Sequence, residues 1–183
     1  MKKVCVFLAD GFEEIEGLTV VDILRRAGVG TQMVSVMDSK LIHGAHGIDV
    51  EADCLFDEAD TEGADMLVLP GGMPGTTNLR DHKGLRKELL AAAESGKHLA
   101  AICAAPTVLS GLGLLKGKRA CAYPAFEEQL DCAEVLQVPT VTDGSVTTGR
   151  GMGAAIPFAL ELTSVLCGRE KAEEVKSSIV YEE

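Results

Sequence analysis

The chain has 183 residues, of which 46% are hydrophobic and 25% charged, and its formal net charge is −11. This composition is typical of a folded domain, so disordered, collagen-like and fibrous classes are excluded and one domain over residues 1–183 is expected. An acidic surface repels phosphate backbones, and the chain has no Trp and only 4% aromatic residues on which bases could stack, so no nucleic-acid partner is expected.

The first residues resemble a secretion signal only briefly, because Asp10 and Glu13 interrupt the apolar run from Val4 to Ala9. No apolar run reaches the roughly 20 residues that span a bilayer, so we expect a cytoplasmic protein with no membrane partner. The six cysteines include no C-x-x-C pair. A zinc knuckle or a thioredoxin-type motif is therefore unsupported, and most of the cysteines are expected to be small core residues.

Strand and helix patterns alternate along the chain. In chain order they predict a strand at 3–9, a helix at 15–27, a strand at 31–37, a short hairpin arm at 46–55, a strand at 65–69, a helix at 85–93, a strand at 98–102, a helix at 107–115, strands at 119–122 and 138–148, and helices at 154–166 and 170–180. This alternation predicts an α/β fold with a mainly parallel sheet covered on both faces. Ligands of such sheets bind at the carboxyl ends of the strands, so the residues just after buried strands are the candidates for function.

Cys103 stands where an apolar strand runs directly into a helix. Its neighbours Ala101, Ala104 and Ala105 are small, as in the sharp nucleophile elbow of Gly-x-Ser-x-Gly enzymes. A thiol at a helix N-terminus lies near unpaired N–H donors, which predicts a pKa below the ~8.5 of free cysteine and a nucleophilic thiolate. The same position would also suit a cysteine that is only a small core residue.

Two other segments are expected at the same edge of the sheet. Leu69-Pro70-Gly71-Gly72-Met73-Pro74-Gly75 offers backbone N–H groups to an oxyanion, although a simple tight turn fits equally well. Glu16 lies one turn into the first helix, where burial favours its protonated form. A protonated Glu16 can donate to the Cys103 thiolate, whereas an ionised one would raise the thiol pKa, so the two are expected to titrate as a coupled pair.

The four histidines all precede Cys103 in the chain. A Cys–His pair would need one of them, and His98 is predicted at the opposite end of the strand that leads to Cys103. His43-x-x-His46 has a metal-like spacing but no evident third ligand, so we interpret it as an exposed turn and expect no metal site.

Several motifs occur in one consistent order along almost the whole chain: Phe12-Glu13-Glu14-Ile15-Glu16, Arg25-Arg26-Ala27-Gly28, Leu69-Pro70-Gly71-Gly72, Ala100-Ala101-Ile102-Cys103-Ala104-Ala105-Pro106 and Thr148-Gly149-Arg150-Gly151-Met152-Gly153. Together they resemble the DJ-1/PfpI superfamily, and most closely its DJ-1/ThiJ/YajL branch. The resemblance implies a flavodoxin-like three-layer α/β/α sandwich with a mainly parallel central sheet, usually a homodimer, and chemistry without a cofactor.

The resemblance also implies roles for individual residues. Cys103 would be the oxidisable nucleophile and Glu16 its protonated partner. Backbone N–H groups of Gly72 and Ala104 would hold an oxyanion or a sulfinate. Arg150 would help to shape an anion-accepting pocket near the dimer interface.

Gly71 and Tyr123 are further pocket residues by the same resemblance. Many members of the superfamily carry a His before the Pro where this chain has Cys121-Ala122-Tyr123-Pro124. Tyr has a pKa near 10 and is a poor base at neutral pH, but it can donate a hydrogen bond to an oxyanion. General-base chemistry that depends on that His is therefore in doubt, while cysteine oxidation is not.

Two functions follow from the resemblance. The first is a glyoxalase or deglycase that acts on methylglyoxal and related aldehyde adducts of small molecules or proteins. The second is a non-enzymatic redox sensor or chaperone that acts through oxidation of Cys103 to sulfinate. An older family label, thiamine-related biosynthesis, has no support in these residues.

Overall fold

The computed structural model describes residues 1–182. Its strands are β1 (Lys3–Leu8), β2 (Gly30–Ser35), β3 (Leu41–His43), β4 (Asp49–Glu51), β5 (Cys54–Leu55), β6 (Met66–Leu69), β7 (His98–Ile102), β8 (Arg119–Ala120), β9 (Glu134–Val135), β10 (Thr140–Asp143) and β11 (Val146–Gly149). Its α-helices are α1 (Glu14–Arg26), α2 (Gly75–Asp81), α3 (Lys83–Glu94), α4 (Pro106–Gly111), α5 (Ala155–Cys167) and α6 (Arg169–Ser178).

Seven strands form one sheet in the order β10-β11-β7-β6-β1-β2-β5. Strand β10 runs antiparallel to β11, and the other five pairings are parallel. The central strands β1, β6 and β7 are almost entirely buried. Such continuous apolar strands are expected where helices cover both faces of a parallel sheet.

Each face of the sheet has its own hydrophobic core. Phe7 of β1 packs in one core with Leu85 of α3. Its neighbour Val6 points to the opposite face and packs in the other core with Leu24 of α1 and Phe158 of α5. Burying a side chain of this size stabilises the fold by roughly 1.5–3 kcal/mol. The protein is therefore a flavodoxin-like three-layer α/β/α sandwich with a mainly parallel central sheet, and the predicted fold class is confirmed.

The hairpin after β2 differs from the predicted arm at 46–55. It begins earlier, where β3 pairs antiparallel with β4 through Leu41 and Glu51, and His46 lies in the turn between them. The segment 138–148 also forms two strands rather than one, because Gly144 has a φ of +61° and supplies the turn between β10 and β11.

Two helices also differ from the predicted elements. Helix α2 follows the glycine-rich segment and has only seven residues, too few for an apolar repeat to be recognised. Helix α4 ends at Gly111 rather than at residue 115. Across residues 1–182, no helix combines the length and the apolar character that crossing a membrane requires.

Candidate active site

The corner between β7 and α4 places Cys103 at the carboxyl edge of the sheet. Its φ is +66°, in the left-handed region that residues other than glycine rarely adopt. Two backbone hydrogen bonds hold this conformation: Cys103 N donates to Gly149 O at 2.9 Å, and Tyr123 N donates to Cys103 O at 2.9 Å. The strained residue is thus held from two neighbouring segments, as a nucleophile elbow requires.

Glu16 lies in the first turn of α1, and its side chain is fully buried. Gly71 N donates a hydrogen bond to Glu16 Oε2 at 2.8 Å. Within the described part of the chain, Glu16 Oε1 is buried without a hydrogen-bond partner, and the Cys103 thiol is close enough to affect the titration of this carboxyl. A carboxyl in this environment can keep its proton and donate it to a neighbouring negative atom.

Position 71 cannot hold a side chain. A Cβ atom at Gly71 would lie 2.6 Å from Cys103 Cβ, 2.6 Å from Glu16 Oε2 and 2.9 Å from the Ile102 carbonyl oxygen. These separations are far shorter than van der Waals contact. Glycine at this position therefore allows the nucleophile and the acid to come together.

The backbone N–H groups of Gly72 and Ala104 face the Cys103 sulfur. Gly72 has a φ of +89°, and a Cβ there would collide with the backbone of Gly11 and Glu13. The glycine-rich loop therefore packs directly on the segment that precedes α1. This packing aims two donors at a negative sulfur, or at an oxygen bound next to it.

The thiol titrates differently from the sequence-based expectation. Burial, followed by the negative charge of an ionised Glu16, raises the pKa of Cys103 to about 12, although the N–H groups of Gly72 and Ala104 lower it. The expected lowering was wrong, because desolvation of the sulfur outweighs the two backbone dipoles. Burial also raises the pKa of Glu16 to about 7. When Glu16 holds its proton, its charge no longer opposes the thiolate, and titration of the two groups as a coupled pair stays a prediction.

Tyr123 and Arg150 line a cavity of about 510 Å³; among the described residues, Cys103 and Glu16 are not part of its lining. Tyr123 contacts Cys103 through its backbone N–H, and its side chain is half exposed. The guanidinium of Arg150 lies 3.5 Å from Glu127 Oε1. The cation expected to accept an anion thus already has a carboxylate partner, which the sequence did not reveal because Glu127 belongs to no recognisable motif.

The side chains of His43, His46 and His98 bind residues other than Cys103. His98 begins β7, at the end opposite to Cys103, and its Nε2 atom hydrogen bonds with Thr147 Oγ1 at 2.8 Å. His43 Nδ1 donates to Asp49 Oδ1 at 2.7 Å, and His46 Nδ1 donates to Glu14 Oε2 at 2.9 Å.

Glu13, Glu14 and His46 could supply metal ligands, since one ligand atom of each lies within 4.8 Å of the others. The sequence pattern missed this group, because the two acids come from the start of α1 and the histidine from a distant hairpin. Two hydrogen bonds from His46 occupy both carboxylate oxygens of Glu14, and His46 Nδ1 lies 3.4 Å from Glu13 Oε2.

The sequence model of the DJ-1/PfpI family matches residues 2–165 of the chain. The chain belongs to the DJ-1/PfpI family. It is 38% identical over 181 residues to DJ-1 homolog B of Arabidopsis thaliana, an alignment that covers 98% of this chain but only 41% of that protein. The chain therefore spans less than half the length of this plant relative.

Two other proteins align with this chain over nearly the full length of both sequences. The solved structure of oxidized Toxoplasma gondii DJ-1 superposes with a TM-score of 0.96 at 36% identity and covers 100% of both chains. A protein of Thermococcus kodakarensis named as a deglycase is 31% identical over 168 residues, which are 90% of this chain and 99% of that protein.

Proposed function

We propose that this DJ-1/PfpI protein is a cofactor-independent enzyme of the glyoxalase or deglycase type, acting on methylglyoxal and on related aldehyde adducts of small molecules or proteins. The observation that carries this proposal is the buried carboxyl of Glu16, held by Gly71 N and next to the Cys103 thiol. An acid that keeps its proton beside a nucleophile can move protons during carbonyl chemistry. The similarity to a protein named as a deglycase supports the same reaction class.

In the proposed reaction, the Cys103 thiolate attacks the aldehyde carbon of methylglyoxal. A C–S bond forms, and the π electrons of the carbonyl move to its oxygen, which the Gly72 and Ala104 N–H groups stabilise. Glu16 gives this oxygen its proton, so that a hemithioacetal results. The Glu16 carboxylate then moves the proton on the former aldehyde carbon to the adjacent carbon through an enediol. Water hydrolyses the resulting thioester to lactate and frees the thiol, so the net change is the addition of one water.

The test is lactate formation from methylglyoxal. Cys103→Ser should abolish it, and Glu16→Gln should reduce kcat by about 10²–10⁴-fold, because each removes a group that acts on the reacting atoms. Cys132→Ser is the matched control and should retain wild-type activity, since Cys132 is a partly exposed thiol that packs against a different hydrophobic core from Cys103. Lactate formation that survives Cys103→Ser would contradict the mechanism.

A redox role is the second candidate, and the same geometry favours it. The Oε1 atom of Glu16, which is buried without a hydrogen-bond partner among residues 1–182, and the N–H groups of Gly72 and Ala104 suit the oxygens of a sulfinate at Cys103. Two equivalents of peroxide would convert the thiol to sulfinate and release two waters. Mass spectrometry after mild peroxide should find two added oxygens at Cys103 first. Equal oxidation of all six cysteines would count against this role.

We also propose that the protein is a cytoplasmic homodimer. Ile15 of α1 is 50% exposed, and Leu18, Ile156 and Ile179 line a groove of about 500 Å³ between α1 and the C-terminal helices. Exposed apolar surface of this kind is typical of protein contacts. The six free cysteines suit a reducing compartment. Sedimentation velocity should show a dimer that Leu18→Asp dissociates, and a wild-type monomer at micromolar concentration would refute the assembly.

A further inference from the structure

The cavity of about 510 Å³ has an aromatic and largely apolar lining. The loop that follows β11 forms one wall. The chain contains two tyrosines and no Trp, and both tyrosines, Tyr123 and Tyr181, line this cavity. Most of the other lining residues are also apolar: Pro124, Val138, Pro139, Met152, Ala154 and Pro157. A ring that enters the cavity would therefore leave water for aromatic and aliphatic contacts, as in typical sites for small molecules.

Arg150 is the one charged residue in this lining among the described residues, although the protein as a whole has a net charge of −11. Its Nη2 atom lies 3.5 Å from Glu127 Oε1. No hydrogen bond joins the two groups, because Glu127 Oε1 and Arg150 Nε are both buried without a hydrogen-bond partner within residues 1–182. Buried polar atoms without a hydrogen bond are rare in native proteins.

The position of Arg150 leaves it accessible to a ligand. Its side chain is 35% exposed, and Glu127 is not among the residues described as lining the cavity. A molecule in the cavity therefore meets the cation before the carboxylate. A guanidinium binds a carboxylate through charge-assisted hydrogen bonds, often two in parallel.

We propose that this cavity is a binding site for a small molecule that carries an aromatic ring and one carboxylate. The carboxylate binds Arg150, and the ring packs against Tyr123, Tyr181 and Met152. A single negative charge suits the site, because a second one would have no cation in the lining and would meet the field of an acidic protein. The same cation disfavours positively charged ligands.

The site is distinct from the thiol, although the two share backbone contacts. Cys103 and Glu16 do not belong to the described lining. Tyr123 N donates to Cys103 O, and Cys103 N donates to Gly149 O, the residue before Arg150. Two segments that support the turn at Cys103 thus also form the cavity. The inference does not depend on the chemistry proposed for Cys103.

Tyrosine fluorescence provides a direct test, because the chain has no Trp and both of its tyrosines line the cavity. The probe is 3-phenylpropanoate, and its neutral analogue 3-phenylpropanamide keeps the ring without the charge. The acid should change the fluorescence with a Kd on the order of 1 mM or below. It should bind about ten-fold more tightly than the amide. Propanoate, which lacks the ring, should also bind about ten-fold more weakly than the acid.

Variants assign the contribution of the charge. Arg150→Gln should reduce the affinity for the acid to that for the amide and leave the amide unaffected. Arg119→Gln is the matched control, since Arg119 Nε also lies 3.5 Å from a carboxylate, that of Asp143, but Arg119 is not among the described lining residues. It should retain the affinity for the acid. Cys103→Ser should retain it too, which separates this test from that of the proposed function.

Three results would overturn the inference: equal affinity for acid and amide, an equal loss in Arg119→Gln, or fluorescence that none of the probes changes. Sedimentation velocity covers the alternative occupant, a second copy of the chain. A dimer that Met152→Asp dissociates, combined with no binding of 3-phenylpropanoate to wild type, would assign the cavity to an interface between copies instead.

Discussion

At the scale of single residues, the candidate site depends on a close approach that one backbone position permits. Gly71 contributes its N–H to Glu16 and its lack of a side chain to the contact between Glu16 and Cys103. The acid is fully buried, so its protonation is governed by desolvation more than by nearby charge. Substitutions at Gly71 and Glu16 should therefore separate the steric requirement from the electrostatic one.

Gly71→Ala should destabilise the fold by about 1–3 kcal/mol, because the new methyl group must displace backbone and active-site atoms. It should also slow alkylation of Cys103. Gly153→Ala is the matched control, since a Cβ there meets nothing within 4 Å and should change neither quantity. Urea unfolding and iodoacetamide kinetics on both variants measure the effects. Equal stability of the two variants would show that the loop can shift away from the carboxyl.

Glu16 should make wild-type stability fall as pH rises. Its pKa is raised by burial to about 7 in the folded protein, so its proton stabilises the fold fully only below the unfolded value near 4.5. That stabilisation, about 3 kcal/mol, is lost as pH rises from about 4.5 through 7. Glu16→Gln should remove this part of the pH dependence. Urea titrations at several pH values test it, and parallel stability profiles of wild type and variant would refute it.

At the scale of elements, the turn from β7 into α4 concentrates the strain. Cys103 is one of two residues other than glycine with positive φ among residues 1–182, and its backbone is held by β11 and by the segment at Tyr123. The glycine-rich loop after β6 and the start of α1 then close around its side chain. The site is thus assembled from three strand ends that are adjacent in the sheet.

Relief of this strain is measurable. Cys103→Gly should be about 1 kcal/mol more stable than Cys103→Ala, because glycine adopts positive φ without a steric penalty. The same pair of changes at Cys132, which does not have a positive φ, should rank in the opposite order. Thermal or urea unfolding of the four variants decides the question. If alanine proves at least as stable as glycine at position 103, the turn is not strained.

At the scale of the whole molecule, a chain of polar side chains crosses the edge of the sheet far from the site. His98 hydrogen bonds with Thr147, Thr147 with Thr142 at 2.9 Å, and Thr142 with Glu161 at 2.7 Å. Burial lowers the pKa of His98, although the charge of Glu161 opposes the change. This network links β7, β11 and β10 to α5, and we expect it to make stability sensitive to acid.

Protonation of His98 should destabilise the folded state. Because its pKa is depressed on folding, the unfolded chain binds a proton first, and stability is lost as pH falls below about 6.5. His98→Gln, which retains a group able to bond with Thr147, should flatten this loss. His43 has a raised pKa through its hydrogen bond to Asp49, so His43→Gln should not flatten it. Denaturation midpoints between about pH 5 and 7 provide the measurement.

That residues 1–183 form one domain stays a prediction at this scale. The central sheet is shared by both hydrophobic cores, so neither core should unfold alone. Differential scanning calorimetry should show one transition with equal calorimetric and van't Hoff enthalpies. Two resolved transitions would show that the chain divides into separately folding units.

The sequence by itself determined the order of most strands and helices, the layered fold class and the place of Cys103 at a strand end. Hydrophobic periodicity and turn residues depend on near neighbours along the chain, so the sequence alone is enough to recognise them. The sequence did not predict short elements such as α2 or the early start of the hairpin at Leu41, because segments of so few residues show no recognisable hydrophobic period. The motifs also pointed to Glu16 and Gly72 as partners of the thiol, through resemblance rather than through geometry.

Only the tertiary structure decided how completely Glu16 is buried, in which direction the pKa of Cys103 moves, and that His46 contacts Glu13 and Glu14. These properties depend on every atom that surrounds a group, and those atoms come from distant parts of the chain. The loss of water around the sulfur outweighs the local effect of a helix terminus. Desolvation is a property of packing, so the thiol's acidity could be judged only once the sheet, the loops and α1 were assembled around it.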